Sequence, residues 1–244
     1  MISINTDYGT ISPYSIMILT SLVIGMIILF ILDTKRGLDN TISSLHILVS
    51  LVATVIGGLL LTLIISLGKS IGFSSLGGLA GMYAGGILIA MISRQPYHMK
   101  LLAQNTTLTL PIMYSISKIG CFLAGCCRGI GHIGLCSVVY IDKAGSMSVI
   151  PIQLIESIIF LAIFAVGIWL WMHKNKYTIH LVFITSAMSK FVLDFLRESH
   201  AGVILSMTQV LCLLLIIIDI MLLVRHKLIS NKIDKNSRHT QFSM

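Results

Sequence analysis

The chain has 244 residues, of which 56% are hydrophobic and only 11% are charged, and its mean hydropathy is +0.95. Soluble domains carry about 25% charged residues, so this composition excludes a protein that meets water on all sides. The formal net charge is +8, but the basic residues lie in short segments between apolar runs and near the end of the chain. We therefore expect contact with anionic membrane lipid and not with nucleic acid.

Seven apolar stretches approach the roughly 20 residues that an α-helix needs to cross the hydrocarbon core. In chain order they are Ser15–Leu32, Leu45–Leu67, Ser75–Ser93, Leu101–Cys121, Val149–Met172, Ile179–Leu196 and Ile204–Val224. No Lys or Arg precedes the first stretch and no small-residue cleavage site follows it, so we interpret it as a span. The sequence thus predicts an all-α polytopic bundle of about seven transmembrane helices. We expect one membrane domain over residues 1–228 and a polar cytoplasmic tail over residues 229–244.

Two of the predicted spans have unusual compositions. The glycine-rich stretch Ser74–Gly86 is a candidate for a re-entrant turn. The fourth span is polar for a membrane helix and contains Pro111, so we expect it to face the interior of the bundle. Its polar residues are Gln104, Asn105, Thr106, Thr107 and Thr109.

The distribution of basic residues predicts the orientation in the membrane. Eleven of the 17 Lys and Arg residues fall in one set of alternate loops together with the end of the chain, and four fall in the other set. Because cytoplasmic loops carry the excess of positive charge, we expect the N-terminus outside and the C-terminus in the cytoplasm. The polar tail after Val224 is expected to be solvated and partly disordered.

Ionisable side chains within the spans indicate a polar cavity or a partner, because a charge at the bilayer centre costs about 2.5–3.5 kcal/mol. Lys190, Asp194 and Arg197 follow one another at i, i+4 and i+7, which places them on one face of the sixth helix. This face is either an internal salt-bridge ladder or a cationic site for an anionic lipid headgroup. The planar guanidinium of Arg197 suits a phosphate because it donates two hydrogen bonds at once.

Two more acidic residues lie in the spans. Glu156 shares one face of the fifth helix with Gln153 and needs a cationic partner, for which Lys118 and Lys190 are the nearest candidates by type. A structural pair and a catalytic role are both open for Glu156. Asp219 has no opposite charge near it in sequence, so we expect it to pair with a His or Lys of another helix or to mark the depth of the cytoplasmic interface.

The segment Lys118–Cys136 combines five glycines with four of the five cysteines and with Arg128. Glycines this dense allow close backbone approach and a bend at membrane depth, which is tolerated where the loop is buried in protein or lines a wet cavity. The cysteines concerned are Cys121, Cys126, Cys127 and Cys136.

Four interpretations of these cysteines stay open. They are small residues for close packing, a disulfide on the oxidising side of the membrane, a nucleophilic thiol whose pKa is lowered by Lys118 or Arg128, or a metal site that includes His132. The spacing C-x4-C-C-x8-C is not a standard zinc pattern, so we expect neither a metal nor another cofactor.

Four blocks of the chain, roughly from Gly72 to Leu215, resemble the prolipoprotein diacylglyceryl transferases of bacterial membranes and follow that family's order. They are GFSSLGGLAG, SKIGCFLAGCCRG, IPIQLIE, and KFVLDFLRE followed by LSMTQVLCL. The resemblance implies a multi-pass enzyme of the bacterial cytoplasmic membrane with two substrates. The donor would be phosphatidylglycerol, and the acceptor of its diacylglyceryl group would be the cysteine thiol of a lipoprotein precursor or a related acceptor. Glycerol phosphate leaves in this reaction, and cations at the site would stabilise its charge.

The resemblance also implies the residues of the site. The catalytic residues assigned on this basis are Lys118, Cys121, Cys126, Asp194 and Arg197. The substrate-binding residues are Arg128, Gly129, Gln153, Glu156 and Lys190.

Several positions depart from the family pattern and mark a divergent member with the block GCFLAGCC. Leu76 and Ile150 stand where the family has His, and Cys126 stands where it has Glu, which removes the family's proton handlers. Lys190 stands for an Arg and lacks its bidentate fork. The alternative hypothesis is therefore a relative without transferase activity, acting as a thiol redox or metal-binding membrane protein.

Overall fold

The computed structural model describes residues 4–6, 9–68, 72–134, 136–142, 145–200 and 204–241. Within these residues the helices are α1 (Pro13–Lys35), α2 (Asn40–Ile65), α3 (Ser75–Ser93), α4 (Pro96–Ala124), α5 (Ile152–Met172), α6 (Thr178–Asp194) and α7 (Met207–Gln241). The strands are β1 (Ile4–Thr6), β2 (Gly9–Ile11), β3 (Val138–Asp142) and β4 (Gly145–Val149). They form two antiparallel hairpins, in which Ile4 faces Ile11 and Val138 faces Val149.

The predicted all-α membrane bundle of seven helices is confirmed. Six of the described helices are long and apolar enough to cross a membrane, and α6, with 17 residues, lies at the short end of the usual range for a span. The apolar part of α7 ends at Arg225. Its backbone stays helical to Gln241, so the described part of the polar tail continues the last helix where we expected partial disorder.

The glycine-rich helix α3 is continuous from Ser75 to Ser93, so the re-entrant turn expected in this region is wrong. Its glycines pack α3 against the backbone of α2. A Cβ atom on Gly81 would overlap the carbonyl oxygen of Ala53, and one on Gly85 would lie 2.8 Å from the Cα of Ser50. The glycines therefore allow two helices to approach closely, which is their usual role in membrane proteins.

We expect Gly81→Ala to lower the stability of the fold by about 1–3 kcal/mol, because the added methyl group overlaps backbone atoms of α2 that have no rotamer to change. The measurement is the temperature at which the detergent-solubilised protein loses its monodisperse size-exclusion peak. Ala84→Leu is the matched control, since Ala84 lies on the exposed face of the same helix. Equal stability of the two variants would show that this packing contact is not needed.

Most of the polar residues of α4 are buried, as predicted, whereas Gln104 is half-buried. The buried side chains are those of Asn105, Thr106, Thr107 and Thr109. Asn105 donates a hydrogen bond from Nδ2 to Asp33 Oδ1 at 2.7 Å, and the other carboxylate oxygen of Asp33 lies 2.7 Å from His46 Nδ1. Because buried polar groups need partners, this network fixes α1, α2 and α4 against one another.

The helices α6 and α7 are joined by a second polar contact. His180 Nδ1 lies 2.9 Å from Asp219 Oδ1. The prediction that Asp219 pairs with a His or Lys of another helix is therefore confirmed. The apolar core beside these polar contacts includes Leu29, Met82 and Met113 from α1, α3 and α4.

Candidate functional site

Four helix ends and the β3–β4 hairpin meet at one end of the bundle. The helices α4 and α6 end there, and α5 and α7 begin there. Helix α4 ends at Ala124 and is capped by Gly125, whose left-handed conformation (φ 68°) suits a residue without a side chain. The distribution of positive charge predicts that this end faces the outside of the membrane.

Glu156, in the second turn of α5, is fully buried and is surrounded by cations. Its Oε2 lies 2.9 Å from Lys118 Nζ, and its Oε1 lies 2.8 Å from Lys190 Nζ. Arg197 Nη2 donates to Oε1 at 3.0 Å and to Oε2 at 2.9 Å. The structure thus confirms the predicted pairing with Lys118 and Lys190 and adds Arg197. We call Glu156, Lys118, Lys190, Arg197 and Asp194 the charge cluster.

Asp194 is the second carboxylate of the charge cluster. Its Oδ1 lies 3.9 Å from Lys190 Nζ and 3.6 Å from Arg197 Nε, so the predicted common face of these three residues is confirmed. Ser206, just before α7, donates its hydroxyl to Asp194 Oδ2. Since three cations face two carboxylates, the charge cluster has one positive charge in excess. An excess of positive charge on buried donors favours binding of an anion.

An aromatic residue that the sequence analysis missed borders the charge cluster. The hydroxyl of Tyr114 donates to Glu156 Oε1 at 3.2 Å, and the ammonium groups of Lys118 and Lys190 lie 4.9 and 5.5 Å from the centre of its ring. The ring therefore adds cation–π attraction to the ion pairs. Tyr114 precedes Lys118 by four residues on α4, and this spacing was the signal that could have found it.

The start of α7 contains a helix-capping motif that the sequence analysis also missed. Ser206 Oγ accepts a hydrogen bond from the backbone N–H of Gln209 at 3.1 Å, and Gln209 Oε1 accepts one from the N–H of Ser206 at 2.9 Å. This reciprocal pair is a capping box, which the sequence S-M-T-Q predicts. Because the same hydroxyl also bonds Asp194, the cap positions that carboxylate.

The loop after α4 pairs with the segment after α6. Ile130 N–H donates to Leu196 C=O at 3.0 Å, Glu198 N–H donates to Arg128 C=O at 3.1 Å, and Gly129 forms an antiparallel bridge with Arg197. These bonds hold the loop beside the charge cluster.

Arg128 lies in an open pocket next to the charge cluster. Its Nε donates to Gly125 C=O at 2.9 Å, and its guanidinium lies 5.0 Å from the ring centre of Tyr140. The pocket has a volume of about 240 Å³ and is lined by Gly125, Cys127, Arg128 and Glu198. The structure therefore gathers Lys118, Lys190 and Arg197 around Glu156 and places Arg128 in the adjoining pocket.

We expect Gly129→Ala to disrupt this loop, because a Cβ atom there would lie 2.5 Å from Ile150 C=O and 3.1 Å from Leu196 C=O. A loss of about 1–3 kcal/mol in stability is expected, with loss of whatever activity depends on the loop. Gly131→Ala is the matched control, since its nearest neighbour would be Ser148 C=O at 4.0 Å. Thermal unfolding in detergent measures both, and a wild-type melting temperature for Gly129→Ala would contradict the tight contact.

Three cysteines lie together beside the charge cluster. The sulfur atoms of Cys121, Cys126 and Cys127 all lie within 4.8 Å of one another, and we call them the thiol cluster. Gln153, which is fully buried, holds the turn by donating from Nε2 to Cys126 C=O at 2.7 Å. All five cysteines of the chain lie in its described part, and each is a free thiol.

A comparison with protein families identifies the chain. The model of the prolipoprotein diacylglyceryl transferase family matches residues 2–225. This chain belongs to that family. The transferase is also 26% identical over 235 residues to the "Phosphatidylglycerol--prolipoprotein diacylglyceryl transferase 2" of Clostridium perfringens (strain 13 / Type A), a match that covers 86% of this chain and 90% of that protein.

The family membership confirms the resemblance seen in the sequence blocks. The chain is a diacylglyceryl transferase, and its apolar helices make it a multi-pass membrane protein. This transferase has Leu76 in the first turn of α3 and Ile150 before Pro151, where the family pattern predicts His.

Proposed function

We propose that this transferase moves a diacylglyceryl group from phosphatidylglycerol to the cysteine thiol of a lipoprotein precursor, in the cytoplasmic membrane of a bacterium. The observation that carries the proposal is the convergence of Lys118, Lys190 and Arg197 on the buried Glu156. An anionic phospholipid offers the phosphate group that such a set of donors binds. The name of the Clostridium relative specifies phosphatidylglycerol as the donor and a prolipoprotein as the acceptor.

In the proposed reaction the sulfur of the precursor attacks the glyceryl carbon that carries the phosphate ester. A C–S bond forms, the C–O bond to the phosphate breaks, and glycerol phosphate leaves with the electron pair of that bond. The proton of the thiol passes to a base of the enzyme. Negative charge develops on the leaving phosphate, and preorganised cations stabilise it most where water is excluded.

Arg197 is the residue that we assign to the phosphate. Its Nη2 is held by Glu156, whereas its buried Nε makes no hydrogen bond among the described residues and has Asp194 Oδ1 at 3.6 Å as its ion-pair partner. A buried donor without a hydrogen bond is costly, and a phosphate oxygen would supply that bond. Lys118 and Lys190 supply further positive charge on the other sides of Glu156.

The carboxylates have two different proposed roles. Glu156 orients the three cations before the lipid binds, which makes it a positioning residue. Asp194 accepts a hydrogen bond from Ser206 and lies farther from the cations, so we assign it to proton transfer. The thiols of Cys121 and Cys126 stand beside Lys118 as further acid–base groups, while Arg128, Gly129 and Gln153 shape the loop and pocket through which the substrates would reach them.

The test is transfer in a host depleted of its own transferase. Membranes carrying the wild-type chain are expected to increase the mass of a lipoprotein precursor by one diacylglyceryl group when phosphatidylglycerol is present, and to leave it unchanged with phosphatidylethanolamine alone. No mass increase from well-expressed wild-type chain would overturn the proposal.

Two variants separate the charge cluster from the thiol cluster. Arg197→Ala is expected to reduce the rate of the mass increase strongly, because it removes the donor assigned to the phosphate. The double variant Cys126→Ser, Cys127→Ser reports on the thiols. Loss of function in the cysteine variant together with full activity of Arg197→Ala would refute the phosphate site and favour thiol chemistry.

A further inference from the structure

The thiol cluster has a geometry that goes beyond the acid–base role proposed for Cys121 and Cys126. Cys121 lies in the last turn of α4, one turn after Lys118, and Cys126 and Cys127 follow in the turn that begins at Gly125. Cys126 N–H donates to Cys121 C=O at 3.1 Å. Cys127 has φ 54°, a left-handed conformation that is uncommon for a residue with a side chain. This turn brings the third sulfur to the other two.

The sulfur spacing fits a single metal ion. Thiolate ligands bind a metal at about 2.3 Å, so three of them around one ion would lie about 4 Å apart. The three sulfur atoms already lie within 4.8 Å of one another, and small side-chain rotations would close the difference. A disulfide would instead use two of the sulfurs and leave the third alone.

The number of ligands selects the kind of ion. Among the described residues the group that can hold a metal comprises these three cysteines, without His132 or Cys136. Structural zinc sites almost always have four protein ligands, whereas a soft monovalent ion such as Cu⁺ is well satisfied by thiolates and accepts three of them. The absence of paired C-x-x-C arms argues against zinc but not against a three-thiolate site.

The surroundings of the thiol cluster supply positive charge. Cys121 lies one turn after Lys118 on α4, and Cys127 lines the same pocket as Arg128. A Cu⁺ ion with three thiolates carries two negative charges in excess, and neighbouring cations would offset part of that charge.

The cluster also has an entry path. Cys121 is buried, Cys126 is half-buried, and Cys127 is exposed. Cys127 lines the 240 Å³ pocket with Arg128 and Glu198. An ion arriving from outside the bundle would meet Cys127 first and Cys121 last.

We propose that Cys121, Cys126 and Cys127 form a binding site for a soft, thiol-seeking metal ion, with Cu⁺ as the ion that fits best. The site lies beside the charge cluster and uses different side chains, and binding does not depend on transfer of a diacylglyceryl group. It goes beyond the transferase activity and is tested without it.

The experiment uses the purified full chain in detergent, reduced and free of oxygen, in competition with a coloured Cu⁺ chelator. We expect one Cu⁺ per chain to be withdrawn from the chelator. The triple variant Cys121→Ser, Cys126→Ser, Cys127→Ser is expected to withdraw none. The double variant Cys136→Ser, Cys212→Ser, which removes the two other thiols, is expected to behave as the wild type.

The single variant Cys127→Ser keeps the test valid if the triple variant does not fold, because Cys127 is exposed in the loop. We expect it to weaken Cu⁺ binding at least tenfold while its size-exclusion profile stays unchanged. Three results would overturn the proposal: no Cu⁺ bound by the wild type, undiminished binding by Cys127→Ser, or loss of binding in the Cys136, Cys212 variant. Tighter binding of Zn²⁺ than of Cu⁺ would overturn the choice of ion.

Discussion

Glu156→Gln is expected to lower the stability of the bundle by about 3–5 kcal/mol, the usual cost of removing one partner from a buried ion pair. The amide is nearly the same size as the carboxylate, so the loss would come from charge and not from packing. Lys118, Lys190 and Arg197 would then stand together without the anion that separates their charges. Transferase activity is expected to be lost with stability, because the cations would no longer be oriented toward the lipid phosphate.

Thermal unfolding in detergent and the mass increase of a lipoprotein precursor measure these two effects. Asp39→Asn is the matched control, since it makes the same chemical change at an exposed carboxylate that caps α2, and an Asn can also cap a helix. A Glu156→Gln variant as stable as Asp39→Asn would mean that the three cations do not need Glu156.

Arg197→Ala is expected to reduce the rate of transfer by a factor of about 10² to 10³, the typical cost of removing one donor that stabilises developing negative charge. Arg197→Lys keeps the charge but loses the planar fork, so we expect an intermediate rate, at least tenfold below the wild type. The order wild type, Lys, Ala distinguishes geometry from charge at this position.

The transfer rates of the wild type and the two Arg197 variants are measured at saturating and at limiting phosphatidylglycerol. The two conditions separate an effect on lipid binding from an effect on the transfer step. Arg225→Lys is the control, because Arg225 is exposed at the far end of the apolar part of α7. A wild-type rate for Arg197→Lys would show that charge alone is sufficient, and a wild-type rate for Arg197→Ala would remove Arg197 from the site.

Much of the fold was predictable because hydrophobic runs of about 20 residues have few alternatives to membrane spans. The common face of Lys190, Asp194 and Arg197 followed from helical spacing alone, and the burial of the polar face of α4 followed from the cost of polar groups in lipid. For Glu156, charge type was sufficient to name two of its three cationic partners.

The errors have a physical cause in common, which is that sequence spacing does not show what packs against a residue. Glycines in α3 are compatible with a bend or with close helix packing, and only the position of α2 decides between them. Asp33 and His46 lie at the ends of predicted spans, where polar residues are ordinary, so their burial against Asn105 was not expected. The convergence of three sulfur atoms likewise depends on the left-handed turn at Cys127, which composition does not predict.

The glycine contact between α2 and α3 has a consequence for how a lipid reaches the site. The backbones of α2 and α3 are in direct contact at Ala53 and Gly81. No side chain there can change rotamer to let the helices separate, so we expect this pair of helices to be rigid. Between α5 and α6 the contacts include long side chains, because Lys190 of α6 and Arg197, just after α6, reach Glu156 of α5. We therefore expect the motions that admit a lipid with two acyl chains to occur on the side of α5 and α6, while α2 and α3 keep their relative position.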